Sequence, residues 1–419
     1  MRHLKALLPP ALGLCLLALF LVHAAAADWP QFRGPNRDGV STEAGVLKSW
    51  PGGGPRVFWK IPLGEGFSQI VAVKDRLYAL YGQGDDEVAA SLDARTGKQL
   101  WRVRLDRKYM SDQGNGPRST PLVDGNLVYV LSGSGQLAAL KTANGQTVWK
   151  HDLPGEYGAG VPDWGIATSP LVEGNLLIVN AGGTNNRSIM AFDKTNGKTV
   201  WSSQSDGAGY SAPIAVTVRG VRQVIVFAAG AVLSVAPKDG RLYWRVPWKT
   251  DWNVNAATPI FFPPDRLFIS SGYDTGSGLF QIKVAGSQVS AAEIWRSRGM
   301  KNQFSSSILH NGTVYGFDNS TLKAIDAGTG AEQWKQRGLG HGSLILAGGN
   351  LVVLSDSGTL ALLEATPDEY RQLGAIRVLE GKCWTAPALA NGRLYLRNEE
   401  HLIALDWTPQ AAAPARTGR

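Results

Sequence analysis

Most of this chain alternates short apolar runs with Asn-Gly, Asp-Gly and Thr-Gly pairs, and almost none of it shows helical periodicity. The stretch "LAALKTANGQTVW", Leu137 to Trp149, is typical: an apolar strand, a tight turn, and a second strand ending in Trp. Variants recur as "ASLDARTGKQLW", "MAFDKTNGKTVW", "LSVAPKDGRLYW" and "LKAIDAGTGAEQW". Gly supplies the positive φ that such hairpins need, and the preceding Asp or Asn can bond the turn's amides. A second phrase comes before most of these, as in "TPLVDGNLVYVLS", "SPLVEGNLLIVNA" and "APALANGRLYLRN". Its Pro opens a strand, where a missing N–H does least harm.

Together the two phrases make a unit of four short strands. Units end at Trp59, Trp101, Trp149, Trp201, Trp244, Trp295 and Trp334, about 46 residues apart on average. This predicts an all-β fold, a β-propeller of four-stranded antiparallel blades. Six units end at Trp101 through Trp334, and a seventh, beginning "GSLILAGGNLVVL", has Leu373 near the Trp position. An eighth, "TAPALANGRLYLRNEEHLIALDW", supplies only three strands, and "PRVFWKIPL" with Trp59 offers the fourth from the other end of the chain. Eight blades over residues 56–407, closed by strands from both termini, are expected; seven is the alternative count. The Trp residues are then structural, filling the wedge between successive sheets.

The ends of the chain read differently. Arg2 and Lys5 precede an apolar run from Ala11 to Val22, followed by "HAAAADW". This predicts a secretory signal peptide over residues 1–27, cleaved after Ala27. The run is too short to span a bilayer, and Leu14 before Cys15 is not the small residue a lipidation site carries. The expected location is therefore the periplasm or outside the cell, with no integral membrane segment. Residues 28–55 form an N-terminal extension and 408–419 a disordered tail. Without Arg2 and Lys5 the 42 basic residues fall to 40 against 34 acids, and Cys383 is the cysteine that stays. That mild excess, spread without runs, suits a soluble protein with an anionic partner and argues against nucleic acid.

The unit Asp93-x-x-Thr96-Gly97-x-x-x-Trp101 is nearly repeated from Asp193 to Trp201, with Asn196 in place of Thr. It resembles the tryptophan-docking repeat of the PQQ-repeat family, and the resemblance covers nearly all of residues 56–407. The phrases "DWPQFRGPNRDGVS", "WGIATSPLVEGN" and "EGKCWTAPALANGRLY" are similar to exported bacterial propellers described as PQQ-like or BamB-like. The family includes quinoprotein alcohol dehydrogenases and BamB, the propeller scaffold of the outer-membrane barrel-assembly machine. A quinoprotein would imply PQQ with Ca²⁺, a Glu/Asn/Asp set to hold the ion, and two adjacent cysteines in a disulfide. This chain has no adjacent cysteines and no evident ligand set, so no cofactor is expected and PQQ with Ca²⁺ belongs to the alternative reading. "GPNRDG" reads as a turn, because Gly34 stands where a calcium loop needs its first Asp.

In a propeller the residues just before each inner strand line one mouth of the central channel. Here these are "FSQI", "QGNGPRS", "PDWGIA", "GAGYSA", "DWNVNAA", "MKNQFSS", "GLGHGS" and "GKCWTA". Candidate ligand-binding residues are Gln113, Asn115, Arg118, Trp164, Tyr210, Asn253, Asn255, Lys301, Asn302, His341 and Trp384, joined by Arg397 and Asn398. Arg118 and Lys301 suit a carboxylate or phosphate, and Trp164, Tyr210 and Trp384 suit a planar group. The competing reading is a wet channel whose polar lining satisfies backbone groups. His151, His310, His341 and His401 lack metal-ligand spacing, and no nucleophile–base pair is evident. The expected function is an exported, non-catalytic scaffold that binds an envelope protein, a peptide or a small anionic ligand. The alternative is a quinoprotein oxidoreductase acting on alcohols or sugars.

Overall fold

Eight four-stranded antiparallel sheets form the ring in the computed structural model, which describes residues 27–49 and 53–409. The leader expected at 1–27 lies outside the described residues except for Ala27, as does the tail beyond 409. The first blade runs outward through Val71–Val73, Arg76–Gln83, Asp86–Asp93 and Gln99–Arg107. The last takes Ala388–Ala390, Arg393–Arg397 and His401–Asp406 from the end of the chain, and its outer strand, Val57–Pro62, from the beginning. Val57 pairs with Leu405 and Pro62 with His401, so the two ends of the propeller close it. The core lies between blades: Val71, Tyr78 and Leu80 of the first pack with Val128, Val130 and Ala138 of the second around Trp101.

Turn and Trp work as one device. Asp93 Oδ1 accepts from Arg95 N, Thr96 N and Thr96 Oγ1, and Gly97 turns the chain at φ +72. The ring of Trp59, from the neighbouring blade, lies on that turn; a Cβ on Gly97 would sit 3.1 Å from it. Trp59 Nε1 also donates to Ala94 O, just after the Asp. Trp101, Trp149, Trp201, Trp295 and Trp334 donate in the same way to Thr142 O, Lys194 O, Pro237 O, Ala327 O and Thr366 O of the next blade. Six of the eight blade junctions are thereby registered by one bond and one apolar face.

Two positions depart from the pattern. Trp244 still packs toward the fifth blade, but there the hairpin between Gly276–Ala285 and Gln288–Ser297 extends past the usual turn. Ile282 is paired with Ala291 in that ladder, and Trp244 Nε1 donates instead to Gln223 Oε1 of its own blade. In the seventh blade the ladder pairs Leu362 with Gly374 just before a bulge, as Ala324 pairs with Trp334. Gly374, one residue beyond Leu373, therefore occupies the Trp position, while Leu373 faces out. The carbonyl a Trp there would meet, Trp407 O, accepts from Leu47 N at 2.8 Å instead. The N-terminal segment fills the missing dock.

That segment also plugs the channel from the side opposite the candidate mouth. Trp29 bridges to Ala72, Pro30 O accepts from Val123 N, and Val40 bridges to Leu346. Between them the chain turns inside the ring, and two buried arginines reach the starts of inner strands. Arg33 donates to Ser307 O at 2.7 Å, and Arg37 to Ser169 O and Pro170 O at 3.0 and 2.8 Å. "GPNRDG" is thus a turn, as expected; Arg37 within it satisfies inward-facing carbonyls of the third blade, and Arg33 just before it one of the sixth. At the mouth end, hydroxyls stitch blade to blade: Ser68 to Ser119 O, Ser211 to Ala257 O, Ser343 to Thr385 O, and Thr385 to Phe67 O.

Candidate functional site

All eight segments before the inner strands contribute to one cavity of about 330 Å³ at the channel mouth. Its floor is the tip of the N-terminal segment, Phe32 and Arg33. One wall is a run of rings: Phe67 stacks on Trp384 at 5.5 Å, Trp384 meets Phe304 at 4.5 Å, and His341 meets Phe304 at 5.5 Å. Opposite, Trp164 packs on Tyr210 at 6.1 Å, and Trp164 N donates to the Tyr210 hydroxyl. Burial pushes that phenol up to about 12, so it stays neutral and can donate.

Of the sequence candidates, Gln113, Arg118, Trp164, Tyr210 and Trp384 line this cavity. Arg118 is held in the wall by Gly116 O and Gly114 O, at 2.5 and 2.6 Å, between the rings of Phe67 and Tyr109. Desolvation lowers its pKa, opposed by Tyr109 and Glu87. Glu87 stands behind it, fully buried, accepting from Tyr109 N and Gly133 N; burial raises its carboxyl to about 7. Lys382 closes the rim, 4.3 Å over Trp384, with its Nζ on Gln113 O.

The other candidates do not line the cavity, for definite reasons. Asn255 is buried and donates to Ala228 O, Ala229 O and Trp248 O. Asn302 ties Phe317 O to the Ser307 hydroxyl. Arg397 is buried against Leu80 O, Ser68 O and Gly64 O, and Asn398 caps a turn through Glu400 N and His401 N. Asn115 binds Glu65, and Lys301 pairs with Asp274. His341 stands beside Phe304 at the edge, its backbone N–H donating to Asp356 Oδ2. Asn253 lies in a second, smaller cleft with Asp163, Trp252 and Tyr210. Reading the sequence missed Phe32, Arg33, Phe67, Gln69, Tyr273, Gln303 and Phe304. Phe67, Gln69, Gln303 and Phe304 sat within the quoted segments, so apolar and amide residues there were the available signal.

The donor set decides what the cavity can hold. Ca²⁺ takes six to eight oxygens, several of them from carboxylates. Among the described residues no Asp or Glu lines this cavity, and no three His, Cys, Asp or Glu gather as a metal site. A quinone held with Ca²⁺ does not fit these walls. Hydroxyls line the cavity too: Ser306 Oγ accepts from Thr258 N, and Ser343 Oγ donates to Thr385 O. Among the described residues no helix is long and apolar enough to cross a membrane.

Comparison with known proteins gives names of more than one kind. The chain is 24% identical to tetrathionate hydrolase of Acidithiobacillus ferrooxidans over 58% of its own length, and spans half of that protein. It is 24% identical to outer membrane protein assembly factor BamB of Yersinia pestis, over 73% of this chain and 76% of that one. The crystal structure of quinohemoprotein alcohol dehydrogenase from Comamonas testosteroni shares the fold at TM-score 0.63 and 14% identity, over 95% of this chain and 83% of that one. Residues 54–156, 84–336 and 318–414 match the family model described as outer membrane protein assembly factor BamB. With nearly every blade inside those matches, the chain belongs to that family of PQQ-repeat, BamB-like propellers.

Proposed function

We propose that this protein is an exported, non-catalytic binding propeller of the bacterial envelope, and that the mouth cavity is where a protein, peptide or small anionic ligand enters. One observation carries the reading: a floored cavity with aromatic walls and cationic groups, and with no carboxylate among its lining. Such a cavity can hold and orient a ligand, and its lining offers no carboxylate or imidazole to serve as a base. Relatives named as assembly factors support a scaffold role, and the relative named as a hydrolase shares only half its length with this chain.

A photo-crosslinking amino acid placed at exposed Met110, in the connection that carries Gln113 and Arg118 to the cavity, should give discrete adducts in envelope extract. The same group at Leu100, exposed on an outer strand, should give none. Equal labelling at both positions would count against a mouth site. Dye reduction with an alcohol or sugar, after loading with PQQ and Ca²⁺, would replace the scaffold reading with an enzymatic one.

A further inference from the structure

Arg33 and Arg118 line the mouth cavity and Lys382 stands at its rim; among the described residues none of the three forms a salt bridge, although Asp38 acts on Arg33, and Glu87 and Glu399 on Arg118, through space. Arg33, buried in the floor, donates to the carbonyls of Arg37, Asp38 and Ser307. Arg118 uses two loop carbonyls and two ring faces, and its remaining guanidinium hydrogens meet no protein acceptor among the described residues. Lys382 rests on the Trp384 ring and one main-chain oxygen. Carbonyl oxygens and ring faces offset part of the desolvation of a buried cation; an anion offsets considerably more. Among the described residues the lining itself thus carries two cations and no carboxylate, in an apolar setting.

We propose that the cavity binds an aromatic carboxylate, its ring against the Trp384–Phe304 wall and its carboxylate on Arg118, with Lys382 closing over it. The proposal rests on the binding reading above and names the ligand's chemistry. A free aromatic acid presents that chemistry, and so does the last residue of a peptide that ends in an aromatic side chain. Phe32 and Arg33 precede residue 54, where the family match begins, so the floor of this site comes from the chain's own N-terminal segment and not from the repeat.

Calorimetry on the full chain would compare N-acetylphenylalanine with its amide, and a pentapeptide ending in Phe with its amidated form. The free acid should bind about tenfold or more tightly than the amide, with the preference shrinking as salt rises. Lys382→Glu should abolish the preference without moving the unfolding midpoint, since Lys382 is a rim residue. Arg118→Lys should weaken the acid about tenfold, read beside its own melting curve because Arg118 also holds its loop. A peptide that matches the free acid assigns the site to chain ends; binding of the acid alone assigns it to small molecules. Equal binding of acid and amide, an acid preference surviving both variants, or no binding of either acid would overturn the proposal. None of these outcomes would affect crosslinking at Met110, which tests the scaffold reading separately.

Discussion

The two ends of the propeller are built from the same eight units and use them in opposite ways. On the hairpin side, six Trp residues each dock on the next blade through one indole bond to a turn carbonyl, five on short Gly turns of one build and Trp334 on the longer turn at Thr366. On the mouth side the eight segments share only a Ser, Thr or Ala near the strand start, and what precedes it ranges from Arg118 to Trp164 to Trp384. Repetition marks where neighbouring blades must agree, and divergence marks where they are free to differ. Stability should follow the first side and binding the second.

The sharpest way to break that contrast is to truncate one residue on each side. Trp149→Ala removes a buried ring packed on Tyr129 and Phe192 and should lower unfolding free energy by about 4 kcal/mol. Gln113→Ala, exposed at the mouth, should stay within about 0.5 kcal/mol. Urea melts of the pair would measure both, and comparable losses would dissolve the distinction.

Glu87 tests whether the mouth has a pH-dependent support. Unfolded, this carboxyl loses its proton near 4.5; folded, burial holds the proton until about 7. Between those values the folded state binds more protons, so stability falls as pH rises through the window, by about 3 kcal/mol in all. Glu87→Gln, which keeps the neutral form, should be flat over the same range in urea melts at pH 4.5 to 8. Parallel curves for the two proteins would show that the buried carboxyl is not the source.

The smallest effect separates docked from undocked Trp. Trp201→Phe strips Pro237 O of its indole donor and should cost about 1 kcal/mol more than Trp244→Phe. After the second change Gln223 Oε1 still accepts from Ser234. Thermal melts of the two variants, with equal losses, would argue that ring packing alone holds the blades.

These asymmetries also explain what could be read from the chain beforehand. Blade number and ring closure were legible because turn chemistry and Trp recur with the period of the fold. In the seventh blade the Trp position could be read only as near Leu373, because the bulge that sets it has no side-chain signature when Gly374 stands there. At the mouth, polar residues before inner strands serve two purposes that composition cannot separate. Asn255, Asn302 and Arg397 satisfy buried carbonyls, whereas Arg118 and Gln113 face the cavity. The floor was illegible for another reason. Arg33 acts across 274 residues, on Ser307 O, from a segment with no periodicity of its own.

Ring closure by Val57–Pro62 has a consequence for how the chain comes to be folded. The strand made earliest waits for the partner made last, since Val57 faces Leu405. Until that partner arrives, an apolar edge stays open and the N-terminal arginines have no complete channel to enter. Loop closure over such a separation is slow, and an open edge invites pairing with other chains. A chain shortened from its C-terminus by even one strand would thus be an aggregation hazard and not a smaller propeller.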